Sequence, residues 1–595
     1  MKWFLRGWGL ALFLLAAVYL LFAWLPFDRL KPLLDSLPRD GEMASFTPEI
    51  HQRLKTVANI LGFIFLSLSM SLILWTEKAR HWLKLTGRTC SILIRQLKFD
   101  LSDLFKQIRR YQISRMTLIL LAGIILLGLS IRLALINKPL HYDEAYTYCE
   151  FARHSLRHIL SDYHVPNNHV FNTLLIHLFT CLFGNAKAVL RLPTLIAGIM
   201  LVPTVYLLGE RVTGRTGGLA AALLTAVMPP FVYYGTQARG YAMVQLCTVL
   251  LFILGYAVRR RNNMAVWCLI VLVATTGFYN VPIMIYPFGC WLLWMTAFVL
   301  HKDLNRIYRS RRRWLLALGI CTVMTAALAW LLYLPLAENG RVDQLFLNIQ
   351  GVRISLNTLL LSFPSHVMDV VREWTLGIPS LLAYLMALCL LASLFAQTTE
   401  RQIISMQSAF LLYVIPLILV QKPIFIARIW SFLLPLAAVW AAQGLLVLLS
   451  LFNNASLRHL LLGLFLAAIT ISCTHYYVVE NDTFKLEIVG DEAEEIVGLI
   501  KPNFGDGDIF VVSPQADAKY WYAFERYGLP ENGIRGTKLR SFERMFVLIY
   551  PGIGETLSDV VESYGPGTHL IDIESAKIIL EDDVYRLYRI AALRE

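Results

Sequence analysis

Long apolar runs separated by short polar connections dominate the chain. Leu118–Leu135 is interrupted by charge only at Arg132, and Leu316–Leu336 is not interrupted at all. A helix that crosses a bilayer needs about 20 mostly apolar residues. Thirteen runs meet or approach that length and predict membrane helices near 7–27, 56–75, 117–136, 192–208, 219–234, 241–258, 264–280, 282–300, 314–336, 377–396, 403–420, 430–452 and 457–477. The first is too long for the apolar region of a signal peptide and has no A-x-A site after it, so it reads as a retained helix. The apolar stretch Phe171–Phe183 is short for a crossing and reads as re-entrant or interfacial.

The polar connections set the orientation. Lys84, Arg88, Arg95, Lys98, Lys106, Arg109 and Arg110 crowd the segment Lys78–Arg115, which is therefore expected in the cytoplasm, along anionic headgroups. Alternation from that anchor places Arg259–Arg261 and Lys302–Arg313 on the same side. It places 138–190, the 235–240 turn, the loop Ala337–Leu376 and the C-terminus outside.

From about Tyr477 the pattern changes. An amphipathic helix near 491–500, buried strands at Asp508–Val512 and Met545–Tyr550, and helices at Ala516–Gly528 and Glu555–Tyr564 predict a small α/β domain. The expected organisation is two membrane helices with a basic segment (1–115), a membrane domain (116–477) and an extracytoplasmic α/β domain (478–595).

Composition agrees with a membrane protein: 57% of residues are hydrophobic and 16% charged. The net charge of +13 would suggest nucleic acid in a soluble protein, but here it follows from basic cytoplasmic loops, so no nucleic-acid partner is expected. Nine scattered cysteines without a CxxC pair give neither a disulfide framework nor a zinc site.

The candidate chemistry lies on the outer side. Tyr142-Asp143-Glu144 follows the third helix, and two adjacent carboxylates at a membrane border are costly to bury. They fit a solvated helix cap, or a general base for an acceptor hydroxyl. His164, Asn167, Asn168 and His169 precede an apolar helix, where they would cap it or hydrogen-bond sugar hydroxyls and phosphate oxygens. Arg191, Arg239 and Arg428 stand at outer helix ends against the positive-inside bias. A lone interfacial Arg usually snorkels, whereas several point to an anionic ligand. Tyr234, Gln237 and Tyr241 flank Arg239.

Several motifs in order now carry a resemblance. DEAYT, then PNNH with LLIHLF and FG behind it, then RLPTLIAGIMLVPTVYLLGERVTGRTGGLAAALLTAVMPPFVYYGTQARGYAM resemble the protein-mannosyltransferase-like and aminoarabinose-transferase-like branch of the GT-C glycosyltransferases, over residues 115–260. The resemblance implies a GT-C-like polytopic helical fold in the bacterial inner membrane. It implies transfer of a sugar from a polyprenyl phosphate carrier to a lipid, polysaccharide or protein acceptor outside the cytoplasm. Asp143 would be the base with Glu144 beside it, Arg191, Arg239 and Arg428 would bind the carrier phosphate, and the flanking Tyr, His, Asn and Gln residues would line the substrate site. A divalent cation is left open. The chain departs from the branch at Pro166-Asn167-Asn168-His169, where His-Pro-Pro-Leu is frequent. It departs again at Thr236-Gln237-Ala238-Arg239, where Gln-Glu-Ala-Arg is frequent, and that change removes a carboxylate. A flippase for a lipid-linked sugar would need broken helices in paired halves, which the sequence lacks. A non-catalytic scaffold would need no arginine–carboxylate cluster.

Overall fold

A computed structural model describes residues 2–35, 47–74, 76–339, 355–396, 403–422, 426–479, 489–537, 541–572 and 575–593. Parts of the expected loops Asp28–Lys55 and Ala337–Leu376 lie outside these residues. The chain forms two compact units, Met1–Arg109 and Arg110–Glu595. In the first, the helices Lys2–Trp24 and Pro48–Leu74 pack side by side, with the Tyr19 and Phe65 rings 5.7 Å apart. The basic stretch after them is one 35-residue helix, Thr76–Arg110.

Among the described residues eight helices are long and apolar enough to cross a membrane, or nine if the bent pair Arg215–Val227 and Pro229–Gly235 counts as one. Leu10–Trp24, Met264–Asn280, Ser380–Ser393 and Met406–Gln421 occupy the other predicted spans but are shorter, so thirteen full-length crossings are not confirmed. Val170–Phe183 is likewise a short apolar helix, in keeping with its reading as interfacial or re-entrant.

The bent pair positions the site, and its break has a local cause. Helical hydrogen bonding would take the carbonyls of Thr225 and Ala226 to the nitrogens of residues 229 and 230, but both are proline and carry no N–H. The chain turns by 62° there. Arg132, fully buried in Arg115–Leu135, donates to Ala226 O at 2.9 Å and Thr225 O at 3.2 Å, and also to Gly128 O and Phe231 O. Val227 O accepts from Tyr477 Oη at 2.7 Å. Thus the carbonyls freed by the break are satisfied by other helices, as a lipid environment requires. Small residues let the elements close: a Cβ on Gly235 would stand 2.9 Å from Arg132 Nε, and one on Gly198 would stand 3.0 Å from Gly235 Cα.

The C-terminal residues form the expected α/β layer. β1 (Asp508–Val511) pairs in parallel with β2 (Arg544–Ile549), and helices Asp517–Tyr527 and Leu557–Tyr564 cover the sheet. An unexpected hairpin, β3 (Lys577–Glu581) and β4 (Arg586–Ala591), extends the sheet to the order β1-β2-β4-β3 with antiparallel pairing. One sheet face and the helices Ala493–Ile500 and Asp517–Tyr527 share a continuous apolar core with Leu140, Ala145, Tyr148, Cys149 and Ala152 of the segment that carries Asp143.

Candidate active site

The carboxylate segment is a short helix, Tyr142–Tyr146, that widens into a π-turn over Thr147–Ala152. His141 starts it as a capping box: the His141 side chain accepts from Asp143 N, and the Glu144 carboxylate accepts from His141 N at 2.8 Å. Adjacent positions on a helix face different ways, so Asp143 and Glu144 have separate surroundings.

Glu144 faces inward and is buried. Its oxygens accept from Arg191 Nε at 2.9 Å, Arg191 Nη2 at 2.7 Å, Ala238 N at 2.5 Å and His141 N. Burial would raise its carboxyl, but Arg191 and these N–H donors outweigh that and hold it below the usual carboxylate range. Arg191 uses its remaining N–H groups on the carbonyls of Ile136, Lys138 and Pro139, all within 2.9 Å. All five guanidinium donors are engaged. Arg191, expected at the carrier phosphate, and Glu144, expected beside the base, are thus bound to each other. The pair is a clamp that joins the segment after the third helix, the start of helix Lys187–Thr213 and the Thr236–Arg239 turn.

Asp143 faces the other way. Arg428 Nη1 donates to its Oδ2 at 2.8 Å, and Arg239 Nη2 lies 3.6 Å from the same oxygen. Burial pushes this carboxyl up, but Arg239 and Arg428, helped by His141 and Asn167, hold it below the usual range. The two arginines differ. Arg239 is only 4% exposed, and its Nη1 is tied to Thr147 Oγ1 and Asn167 O, both at 2.9 Å. Its buried Nε has no hydrogen-bond partner among the described residues. Arg428, at the start of the 3-10 turn Ala427–Leu433, is 43% exposed. Arg239 also lies 5.9 Å from the Tyr241 ring centre.

Several other predicted residues hold the backbone. Asn168 donates to Ile159 O and Asp162 O at 2.9 and 2.8 Å, and is buried. His169 Nδ1 accepts from Gly240 N at 2.8 Å, and burial and the nearby Arg239 and Arg428 push its pKa far down, so the ring is neutral. Both residues, expected to line the substrate site, fasten these loops. His164 bridges Asp162 Oδ1 at 2.6 Å and Tyr146 Oη at 3.2 Å. Tyr142 Oη donates to Asp517 Oδ1 of the C-terminal layer at 3.0 Å. Gln237 is buried in the turn beside Arg239.

Sequence reading missed one acid. Glu373, near the end of helix Leu356–Trp374, accepts from Tyr234 Oη at 2.7 Å. Burial raises its carboxyl above the ordinary value, against the pull of Tyr234 and Arg428. A signal existed: a carboxylate beside Trp374 at the border of the tenth predicted span. Among the described residues no three His, Cys, Asp or Glu side chains group as a metal site would need. The surroundings of Asp143 do not fit a divalent cation, because its close charged neighbours are guanidinium groups and Glu144 spends its oxygens on N–H donors.

A family model described as dolichyl-phosphate-mannose-protein mannosyltransferase matches residues 170–330. The apo structure of ArnT from Cupriavidus metallidurans superposes with a TM-score of 0.52 at 12% identity, covering 79% of this chain and 97% of that one. ArnT from the same organism bound to undecaprenyl phosphate gives 0.51 at 10% identity, with the same coverage. A weaker likeness, TM-score 0.43 at 14% identity over 72% of this chain and 67% of the other, is to the oligosaccharyltransferase of Archaeoglobus fulgidus in complex with zinc and sulfate. A search of curated protein sequences finds no significant match. The chain thus has the fold of ArnT, and the resemblance to the protein-mannosyltransferase-like and aminoarabinose-transferase-like GT-C glycosyltransferases is borne out.

Proposed function

We propose that the protein is a membrane glycosyltransferase that moves a monosaccharide from a polyprenyl phosphate to a lipid, polysaccharide or protein acceptor on the extracytoplasmic side. The observation that carries this reading is the convergence of Arg428 and Arg239 on the Asp143 carboxylate. The undecaprenyl phosphate bound in the ArnT complex supports the donor class.

In this reading the acceptor oxygen attacks the anomeric carbon, the bond from that carbon to the phosphate oxygen breaks, and the phosphate leaves with the electron pair. Arg428, exposed and bound by one N–H, and Arg239, whose Nη2 faces Asp143 and whose Nε has no partner among the described residues, receive the growing charge. Such prearranged donors stabilise the transition state without reorganising. Asp143 orients the acceptor hydroxyl and takes its proton. The two roles are coupled: as the arginines turn to the phosphate, they release Asp143, and its affinity for a proton rises.

Transfer from a labelled polyprenyl-phosphate sugar tests this. Asp143→Asn should cut turnover by roughly 10²–10⁴-fold, the usual share of a general base, while donor binding persists. Arg428→Lys keeps the charge but loses the planar fork, so donor affinity should fall. Transfer by Asp143→Asn within a few-fold of the unsubstituted protein would remove Asp143 from the mechanism.

A further inference from the structure

We propose that a second anion site, for the phosphate headgroup of an acidic phospholipid, lies at the end of the membrane helices opposite Asp143. Helix Tyr241–Arg260 starts beside Arg239 and has 20 residues, so its far end lies about 30 Å away. There, a cavity of about 600 Å³ is lined by Arg259, Arg260, His301, Lys302, Asp303 and Arg306. Four permanent cations face one carboxylate, and the Asp303 N–H is turned to His301 Nδ1 at 3.2 Å.

The site is built rather than fortuitous. Arg259 is buried, with its guanidinium 4.3 Å from the Trp294 ring centre and 4.6 Å from that of Phe298. Both rings are braced: Trp294 by Tyr256 at 4.9 Å and Phe298 by Trp314 at 5.0 Å. Trp314 Nε1 donates to Met295 O, and Tyr308 Oη donates to Val258 O, which ties the cavity wall to both flanking helices. Stacking on aromatic faces holds a guanidinium in place while leaving its N–H edge directed elsewhere. Leu300, next to His301, and Leu315 and Leu316, one turn into helix Arg311–Tyr333, are exposed apolar residues at the same helix ends. A basic cavity bordered by lipid-facing leucines matches a headgroup whose acyl chains continue along the protein. A free phosphate shares the anion chemistry but has no use for the leucines.

Thermal unfolding of the full-length protein in phosphatidylcholine nanodiscs, titrated with phosphatidylglycerol, tests the site. Phosphatidylglycerol should raise Tm and inorganic phosphate should not. Lys302→Ala/Arg306→Ala removes two exposed cavity cations and should move the titration midpoint well beyond the roughly twenty-five-fold that any two near-surface cations contribute at about fivefold each. Arg311→Ala/Arg312→Ala removes two exposed cations from the same border outside the cavity and should move it by no more than that surface value. Equal shifts in the two variants, or no shift in the first, would reduce the effect to diffuse surface attraction and overturn the site. Protection by inorganic phosphate alone would assign the cavity to a free phosphate and overturn the lipid reading.

Discussion

Which side chains touch ligand and which hold the loops is decided by where their hydrogen bonds go, and sequence does not carry that information. Asp143, Arg239 and Arg428 were legible as a charged group on one side of the membrane, and the structure brings them within 3.6 Å of one oxygen. Arg191 and Glu144 carried the same outward signal but satisfy each other and the backbone. Asn168 and His169 read as sugar ligands because amides and imidazoles suit either task. Glu373 stayed hidden because its partner, Tyr234, is 139 positions away. Its raised carboxyl gives a pH prediction. The folded protein takes up a proton on Glu373 above the ordinary carboxylate pKa of about 4.3, where the unfolded chain has already lost it. This contribution to stability is therefore present at low pH and falls as pH rises through that interval. Glu373→Gln retains an oxygen for the Tyr234 hydroxyl and cannot titrate. The Tm of the unsubstituted protein minus that of Glu373→Gln should decrease as pH is raised from 4 towards 7, and a constant difference would refute the assignment.

The elements were legible where hydrophobicity alone defines them. Every predicted span has an apolar helix because satisfying the backbone in lipid leaves few other solutions. The β3–β4 hairpin escaped because β3 is short and mostly exposed, so no buried period-two pattern marks it. The 62° break escaped because Pro229-Pro230 was read inside a continuous run, and Arg132 was read only as an interruption. These two facts explain each other: the prolines withhold two N–H groups and the guanidinium supplies replacements. Arg132→Met fills similar space but leaves the Thr225 and Ala226 carbonyls without donors, at about 1–3 kcal/mol for each buried group. Its Tm in detergent should fall. Transfer should fall more than expression, because the break sets the direction of the Thr236–Arg239 turn. An Arg132→Met variant with unchanged Tm would mean that water or backbone movement satisfies those carbonyls.

On the scale of the whole molecule, the composition change near Tyr477 made an α/β layer legible, but not the surface it packs against. Interdigitation of Tyr520, Trp521 and Tyr522 with Tyr148 and Cys149 depends on shape. Ion pairs close the contact: Arg153 meets Glu525 at 2.7 Å and Glu531 at 2.5 Å, and Lys187 meets Glu494 at 3.1 Å. One shared core obliges the Asp143 segment and the C-terminal layer to lie on the same side of the membrane. The proposed side is extracytoplasmic. In a background stripped of native cysteines, Pro530→Cys should react with an impermeant maleimide added to spheroplasts. Reaction only after the membrane is opened would reverse the orientation.

The bond from Tyr142 to Asp517 spans 375 positions of chain. At the usual 5–20 residues per second, synthesis of that interval takes roughly 20–75 s. Throughout this time the segment with Asp143 has been made, while the apolar partners that bury its rear face have not. This side of the protein is therefore backed late: a chain stalled or still being threaded lacks the layer that packs against the Asp143 segment.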